Sequence, residues 1–392
     1  MPKPHQSPPP ADPVELGREV IRACLGLGFA AAGIAPAAPS SQQAELQQWL
    51  ALGKHGTMAW MEEYLSERLD VTRLLPGARA VIMVADSYSA AGDDDLQSSS
   101  RNDHSQEHPA QGSVARYARG EDYHAVLKRR LKRLADRLRG LPFAAGEGWS
   151  AEFRSFVDTG PAMEREHASR AGLGWVGKHT LLIDPGRGSW FVLGGIATTL
   201  HILPEPSLTP VSDHCGTCTR CIDACPTQAI TPYSVDARRC VSYLTIEHDG
   251  PIDPSLHSGV GDRLIGCDVC QEVCPFNSAD AHALPRHQGG MTSTVNEAYS
   301  SGRGVGSSLP LLEVLGWSEA DRSRVMTLSA AKRLSLTMLK RNAIIAAGNA
   351  LRGNITGTQR SALRARITQL AEDPAEDEVI RETAAQIASR FA

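Results

Sequence analysis

The feature that most restricts this chain is a run of cysteines, "HCGTCTRCIDACPTQAI", beginning at His214. It reads C-x2-C-x2-C-x3-C-P, with thiols at Cys215, Cys218, Cys221 and Cys225 followed by Pro226. A second stretch, "GCDVCQEVCPFN" from Gly266, adds Cys267, Cys270 and Cys274, and Cys240 lies between the two. An x2 step wraps the backbone around one centre and turns its N–H groups toward the sulfurs. The x3 step and the proline then send the last thiol away. In this spacing three thiolates hold one [4Fe–4S] cubane and the fourth ligates a second. The crossover predicts one cluster on Cys215, Cys218, Cys221 and Cys274, and another on Cys225, Cys240, Cys267 and Cys270. Zinc knuckles use C-x2-C pairs, but three cysteines at x2 spacing with C-P twice is not a zinc pattern. A radical S-adenosylmethionine site needs C-x3-C-x2-C, and Gln228 and Asn277 make both sets fail that test.

At 392 residues the chain has room for two or three domains. Its apolar fraction of 42% and charged fraction of 21% are those of a globular protein. No run of about 18 apolar residues occurs, so nothing is expected to span a membrane. The start, "MPKPHQSPPPADP", lacks an apolar segment and a twin arginine, and residues 1–14 read as a disordered Pro-rich lead. A reducing cytoplasm is the setting in which clustered cysteines favour metal over disulfide. Cys24, in "ELGREVIRACLGLGF", reads as a packed core thiol on an amphipathic helix.

The organisation predicts an α+β protein: an N-terminal α/β domain over 15–209, a ferredoxin-like segment over 210–281, and an all-helical part over 310–392. Strands are expected in "RAVIMVADSY", "AEFRSFVDTG", "HTLLID" and "SWFVLGGIATTL", alternating with helices such as "EDYHAVLKRRLKRLADRLRG". Pro161 is placed in the first turn of a helix "PAMEREHASRAG". A polar insert (90–113) and a Gly/Ser-rich linker (282–309) have neither periodicity nor bulk. The C-terminal helices, short and broken by Gly, Asn and Pro, suggest helical-repeat (HEAT-like) packing.

About 200 residues precede the cysteines, more than an electron-transfer adaptor needs, so a redox centre or substrate site is expected there. No G-x-G-x-x-G follows a strand, which removes support for a Rossmann cofactor site. "DYHAVL" approaches the D-x-H-x-x-G cobalamin motif, but Leu127 replaces the glycine, so His124 reads as a packing or hydrogen-bonding residue. Asp158 ends an apolar strand in "FVDTGPAMEREHASRAGLGWVGKHTLLI". It is either a carboxylate whose pKa burial raises, able to donate a proton, or a helix N-cap before Pro161.

Together "RYARGEDYH", "VDTGPAMERE", "AGLGWVGKHTLL", "CGTCTRCIDACPTQAI", "DARRCVSYLTIE", "GCDVCQEVCPFN" and "LKRNAIIAAGN" closely resemble the bacterial epoxyqueuosine reductases, from about residue 15 onward. The resemblance implies a cobalamin, two [4Fe–4S] clusters, and reduction of epoxyqueuosine to queuosine at the wobble position of tRNAs with GUN anticodons. It implies that Asp158 is the proton donor and that Arg68, Tyr117 and Lys178 line the cobalamin and substrate pocket. A low-potential external electron donor (ferredoxin or flavodoxin type), a cytoplasmic location and a monomer are further implications. Phe276 stands where the family often has Trp, and the 90–113 insert is long. The alternatives are a cobalamin-dependent reductive dehalogenase and a non-enzymatic ferredoxin-like carrier.

From Arg322 through Ala371 there are ten Lys or Arg residues and no Asp or Glu, in a chain whose net charge is −4. One sign over helices suggests a directed positive surface, and Lys332, Arg333, Lys340 and Arg341 are the expected tRNA contacts. Helix 122–139 adds a basic face that is read equally as a solvated surface.

Overall fold

A computed structural model describes residues 12–89, 110–141, 145–146, 149–205, 210–278 and 295–391. The Pro-rich lead through residue 11, most of the expected insert and the first part of the expected linker lie outside them.

The first half of the chain is built on helix α1 (Pro13–Gly26), strands β1 (Ala31–Pro36), β2 (Ala80–Ser87) and β3 (Gln111–Val114), helix α2 (Tyr123–Arg139), strand β4 (Phe153–Phe156), helix α3 (Glu164–Arg170) and strand β5 (Phe191–Thr198). Four strands form one sheet in the order β1-β2-β5-β4, each antiparallel to its neighbour. Successive side chains of a strand face opposite ways. Ile82 and Val84 therefore meet Leu127, Leu131, Leu134 and Leu138 of α2, while Val81, Met83 and Ala85 meet Ala168 of α3 and Leu173. With both faces covered, β2 is buried throughout and is apolar from Ala80 to Ala85. The α/β expectation for this part is corrected to α+β: alternation of helix and strand does not fix strand direction, and the pairing is antiparallel.

β3 is the middle strand of a second sheet, parallel to β6 (Arg263–Ile265) and antiparallel to β7 (Ser308–Pro310). This sheet ties the first half to the cysteine-rich segment and to the C-terminal part. The later portion of the expected linker is packed rather than extended. Asn296 Nδ2 and Tyr299 Oη each donate at 2.9 Å to Asp86 Oδ2, a carboxylate 1% exposed that Arg130 also pairs.

The cysteine-rich segment carries helix α4 (Val241–Ile246), and the C-terminal part carries α5 (Leu311–Gly316), α6 (Leu336–Ala350), α7 (Gly357–Glu372) and α8 (Glu378–Ala388). Leu339, Ile344, Leu363, Ile367, Leu370 and Ile387 share one core with Val114, Leu264 and Ile265, so these helices extend the second sheet's core. No helix among the described residues is long and apolar enough to cross a membrane.

Candidate active site

Asp158 leaves β4 with φ of 45°, a left-handed conformation that is costly for a residue with a side chain. The helix after it starts only at Glu164 and has no side-chain cap, so Pro161 lies outside it and Asp158 is not its N-cap. The strained turn instead delivers the carboxylate to two partners and the backbone N–H to a third. Tyr123 Oη donates to Asp158 Oδ2 at 2.7 Å, and His124 Nε2 lies 3.1 Å from the same oxygen. The Asp158 backbone N–H donates to Glu164 Oε1 at 2.5 Å. On its other side the His124 ring meets Asp122 Oδ1 through Nδ1 at 2.8 Å, and Lys332 Nζ lies 2.7 Å from Asp122 Oδ2. Asp122 caps α2, which is why Tyr123 and His124 open that helix toward Asp158.

Charge follows from this geometry. Burial opposes ionisation of Asp158, but the His124 and Tyr123 hydrogen bonds outweigh it and hold the carboxyl below its usual range. The expectation that burial alone would raise the Asp158 pKa is thereby corrected. Asp122 is held low in the same way, against burial, by His124 and Lys332. Burial pulls the His124 pKa down, but hydrogen bonds to the two carboxylates outweigh it and lift it to about 9. His124 therefore carries both ring protons at neutral pH, one directed at each carboxylate. Burial, and then the Asp158 charge, push Glu164 up to about 8, so it is a neutral acid at pH 7. Neither Glu164 nor the protonated His124 was read from sequence as an acid; "DYH" and "MERE" hold the residues, but only the fold sets them against Asp158.

These groups cluster around Asp158. The Asp158 side chain is 49% exposed, yet its charge is felt by Arg68, Tyr117, Tyr123, Arg165 and Glu247, and Arg333 acts on it in turn. Arg68 Nε and His179 Nε2 are buried with no hydrogen-bond partner among the described residues, as the walls of a site for a polar ligand would be. Both His124 ring nitrogens are taken by carboxylates, which leaves neither for a metal. Tyr117 stacks edge-on to Tyr123, and a Cβ on Gly266 would lie 3.3 Å from the Tyr117 ring, so Tyr117 spans from the acid group to the residue before Cys267.

All nine cysteines are free. The Cys274 thiol, raised by burial, also feels Cys215, Cys221 and Cys218. Cys240 feels Cys225, Cys267 feels Cys240, and Cys270 feels Cys267 and Cys240. Cys274 thus lies near Cys215, Cys218 and Cys221, and Cys240 near Cys225, Cys267 and Cys270, while Cys270 also feels Cys221. Among the described residues no three His, Cys, Asp or Glu donors converge on a single-ion centre. Sulfurs at the corners of a cubane are spread more widely than the ligands of one zinc ion.

Other expected site residues lie elsewhere. Lys178 does not reach the pocket: its Nζ donates to the Gly216 and Cys218 carbonyls at 2.6 and 3.0 Å. Lys340 and Arg341 do not face RNA. Lys340 is 5% exposed and pairs with Glu376 at 2.6 Å. Arg341 is fully buried and donates to the carbonyls of Leu244, His248 and Gly250. Most cations of the one-sign stretch are spent on carbonyls or acids outside it: Arg322 and Arg324 pair with Glu319 and Asp321 just before it. Arg360 caps Leu351 and Gly353, and Arg366 caps Leu315. Lys332 and Arg333 are exposed beside the Asp158 group, paired with Asp122 and Glu247.

Residues 214–277 match the family model described as a 4Fe–4S double cluster binding domain, and residues 68–159 match that of epoxyqueuosine reductase QueG, DUF1730. The chain carries two [4Fe–4S] clusters accordingly. It is 38% identical over 340 residues to the epoxyqueuosine reductase of Xanthomonas campestris, covering 86% of this chain and 88% of that protein. It is 38% identical to the Escherichia coli protein of the same name over 342 residues, 87% of this chain and 83% of that one. A crystal structure of epoxyqueuosine reductase with an epoxyqueuosine-modified tRNA-Tyr stem loop superposes with a TM-score of 0.76 at 25% identity, over 96% of this chain and 90% of that one. The chain belongs to the epoxyqueuosine reductase family, oxidoreductases that reduce epoxyqueuosine to queuosine.

Proposed function

We propose that this enzyme acts on epoxyqueuosine at the wobble position of tRNA, with a cobalamin seated over the Asp158 group and the two clusters feeding it electrons. The reading rests above all on one observation: two groups that hold protons at neutral pH meet at Asp158, His124 against its carboxylate and Glu164 against its backbone N–H. Opening an epoxide to an alkene consumes two electrons and two protons and releases water. When bound, the corrinoid supplies the electrons through low-valent cobalt. Arg68 and His179, whose buried nitrogens have no partner among the described residues, and Tyr117 are the side chains that would hold it.

As the first C–O bond breaks, charge grows on the epoxide oxygen. Asp158, at the end of its strained turn, directs the His124 proton to that oxygen. Tyr123 keeps the carboxylate in place. Glu164 supplies the second proton, so that the oxygen leaves as water rather than hydroxide. Proton delivery of this kind is worth about 10²–10⁴-fold in rate.

The clusters take the two cysteine fours as ligands, Cys215, Cys218, Cys221 and Cys274 for one and Cys225, Cys240, Cys267 and Cys270 for the other. The second lies on the side of Tyr117 and the acid group, which suits it to deliver electrons to the site. Lys332 and Arg333, exposed beside the Asp158 group, meet the RNA backbone while the modified base is splayed toward Asp158. A low-potential ferredoxin or flavodoxin supplies electrons, one chain suffices as a monomer, and the cytoplasm provides donor and tRNA alike. The C-terminal helices act as a HEAT-like platform behind these two cations.

The test is to load the anaerobic protein with cobalamin, reduce it, and add an anticodon stem loop bearing epoxyqueuosine. Mass spectrometry of the nucleosides should show loss of one oxygen and formation of queuosine. An unchanged nucleoside, with corrinoid bands and cluster absorption both present, overturns the assignment.

A further inference from the structure

Trp175 sits where the first half of the chain touches the first cysteine motif. It begins a two-residue strand, Trp175–Val176, paired with Leu182–Ile183. Its ring is 2% exposed and packs in one apolar group with Cys274, Cys215 and Phe276. His214, the residue before Cys215, meets the ring edge-on at 5.1 Å, and Phe276, two residues after Cys274, does so at 4.8 Å. Trp175 is thus held by the neighbours of two thiols that come from the two distant cysteine motifs.

The indole Nε1 is buried and has no hydrogen-bond partner among the described residues. An indole N–H can only donate, and a buried donor without an acceptor is a standing cost to the fold. A phenyl ring would fill the same apolar space without that cost. A cluster on Cys215, Cys218, Cys221 and Cys274 brings sulfur acceptors to this surrounding.

A second feature converges on the same place. Lys178, three residues on, donates its ammonium to the Gly216 and Cys218 carbonyls within the C-x2-C-x2-C loop. Its neighbour in the chain, Gly177, is hydrogen-bonded back to Leu181, so one tight hairpin presents both Trp175 and Lys178. Hydrogen bonds to cluster sulfurs, and positive charge nearby, stabilise the reduced, more negative form of an iron–sulfur cluster and raise its potential. Around the Cys225, Cys240, Cys267 and Cys270 group the first-half donors are already satisfied by the protein: Trp49 Nε1 donates to the Val235 carbonyl at 2.7 Å, and the Arg116 backbone N–H to Asp268 Oδ2 at 2.7 Å.

We propose that the Trp175–Lys178 hairpin is a redox-tuning element: the Trp175 indole donates to a sulfur of the cluster on Cys215, Cys218, Cys221 and Cys274, Lys178 adds a positive charge to its loop, and together they set that cluster's potential above the other's. This rests on the two-cluster reading of the cysteines and stands independently of the substrate. It gives the two clusters different tasks, because an electron then pauses on one before passing to the other.

The experiment is an EPR-monitored redox titration of the full-length, anaerobically reconstituted protein beside W175F and K178M, with the ligand variants C218S and C267S identifying which signal belongs to which cluster. Iron and sulfide content of the parent protein comes first, and less than two clusters per chain defeats the cluster reading itself. With two clusters present, W175F and K178M should each move the Cys215-group midpoint to a more negative potential and leave the Cys267-group midpoint in place. W175F keeps an aromatic ring of the right shape, and K178M, on a partly exposed residue, provides the same readout should the tryptophan variant bind iron poorly. Unmoved midpoints in K178M and in any iron-replete W175F, or equal shifts of both clusters, overturn the proposal.

Discussion

The Lys332 ammonium lies 2.7 Å from Asp122 Oδ2, and through Asp122 and His124 it is joined to Asp158. A residue of the C-terminal part thereby steadies the acid group of the first half. Leu328 O accepts the Asp122 backbone N–H at 2.6 Å, and Ser329 Oγ donates to Ala118 O at 2.6 Å, so the same segment grips the start of α2 twice more. Replacing Lys332 with Met leaves Asp122 one donor short and His124 less firmly aimed. Single-turnover rate should fall about tenfold, which corresponds to ~1.4 kcal/mol of lost transition-state stabilisation. K332R should restore most of it, and equal rates in K332M and the parent protein would remove Lys332 from the relay.

Asp158→Asn and His124→Gln act on the proton itself. Each should keep its corrinoid and cluster spectra and lose about 10²–10⁴-fold in turnover. A loss confined to KM would assign these side chains to substrate binding instead.

The pH dependence follows from the two raised groups. Glu164 and His124 must both hold protons, so activity should be level near neutrality and fall as pH rises through about 8 and then about 9. E164Q should be slower and should lose the first of these steps while keeping the second. Stability runs the same way. His124 has a folded pKa raised from 6.5, so its contribution is complete below about 6.5 and is lost as pH rises through about 9. Urea unfolding of the apoprotein between about pH 6 and 9.5 should show a decline that H124Q flattens.

The cysteine grouping is tested by removing a ligand far from its partners in sequence. C274S should disturb the cluster of Cys215, Cys218 and Cys221, leaving the other cluster's EPR signal intact. Disturbance of the Cys240 signal instead would reverse the crossover.

The cationic residues separate by burial. R341M leaves the carbonyls of Leu244, His248 and Gly250 without their donor, at roughly 1–3 kcal/mol for each buried group. It should lower stability and barely change the salt dependence of RNA binding. K332Q with R333Q should instead reduce the slope of log K against log salt by up to about 0.7–0.9 for every phosphate these two cations neutralise. Identical slopes in the double variant and the parent protein would place the RNA on another surface.

Much of this was legible in the sequence because it depends on local spacing. The cysteine motifs, the Leu127–Leu138 stripe and the apolar run of β2 each declare their partners or their faces within a few residues. Other features were hidden because they depend on tertiary contact. The charge on Lys340 and Arg341 looks solvent-bound until Glu376 and the end of α4 are seen against it. Asp158 looks like a cap until its φ shows that the chain turns before the helix begins. Strand direction in the first sheet, the packing of 295–310 and the neutral state of Glu164 all arise from groups distant in sequence.

The most direct measurement is single-turnover conversion of an epoxyqueuosine stem loop by the pre-reduced, cobalamin-loaded enzyme, run side by side with D158N and followed by nucleoside mass spectrometry. The parent protein should form queuosine within its single turnover, while D158N, with the same cofactor spectra, should leave the epoxide in place. Equal yields and rates from both proteins would contradict the role given to Asp158 and to the protons gathered around it.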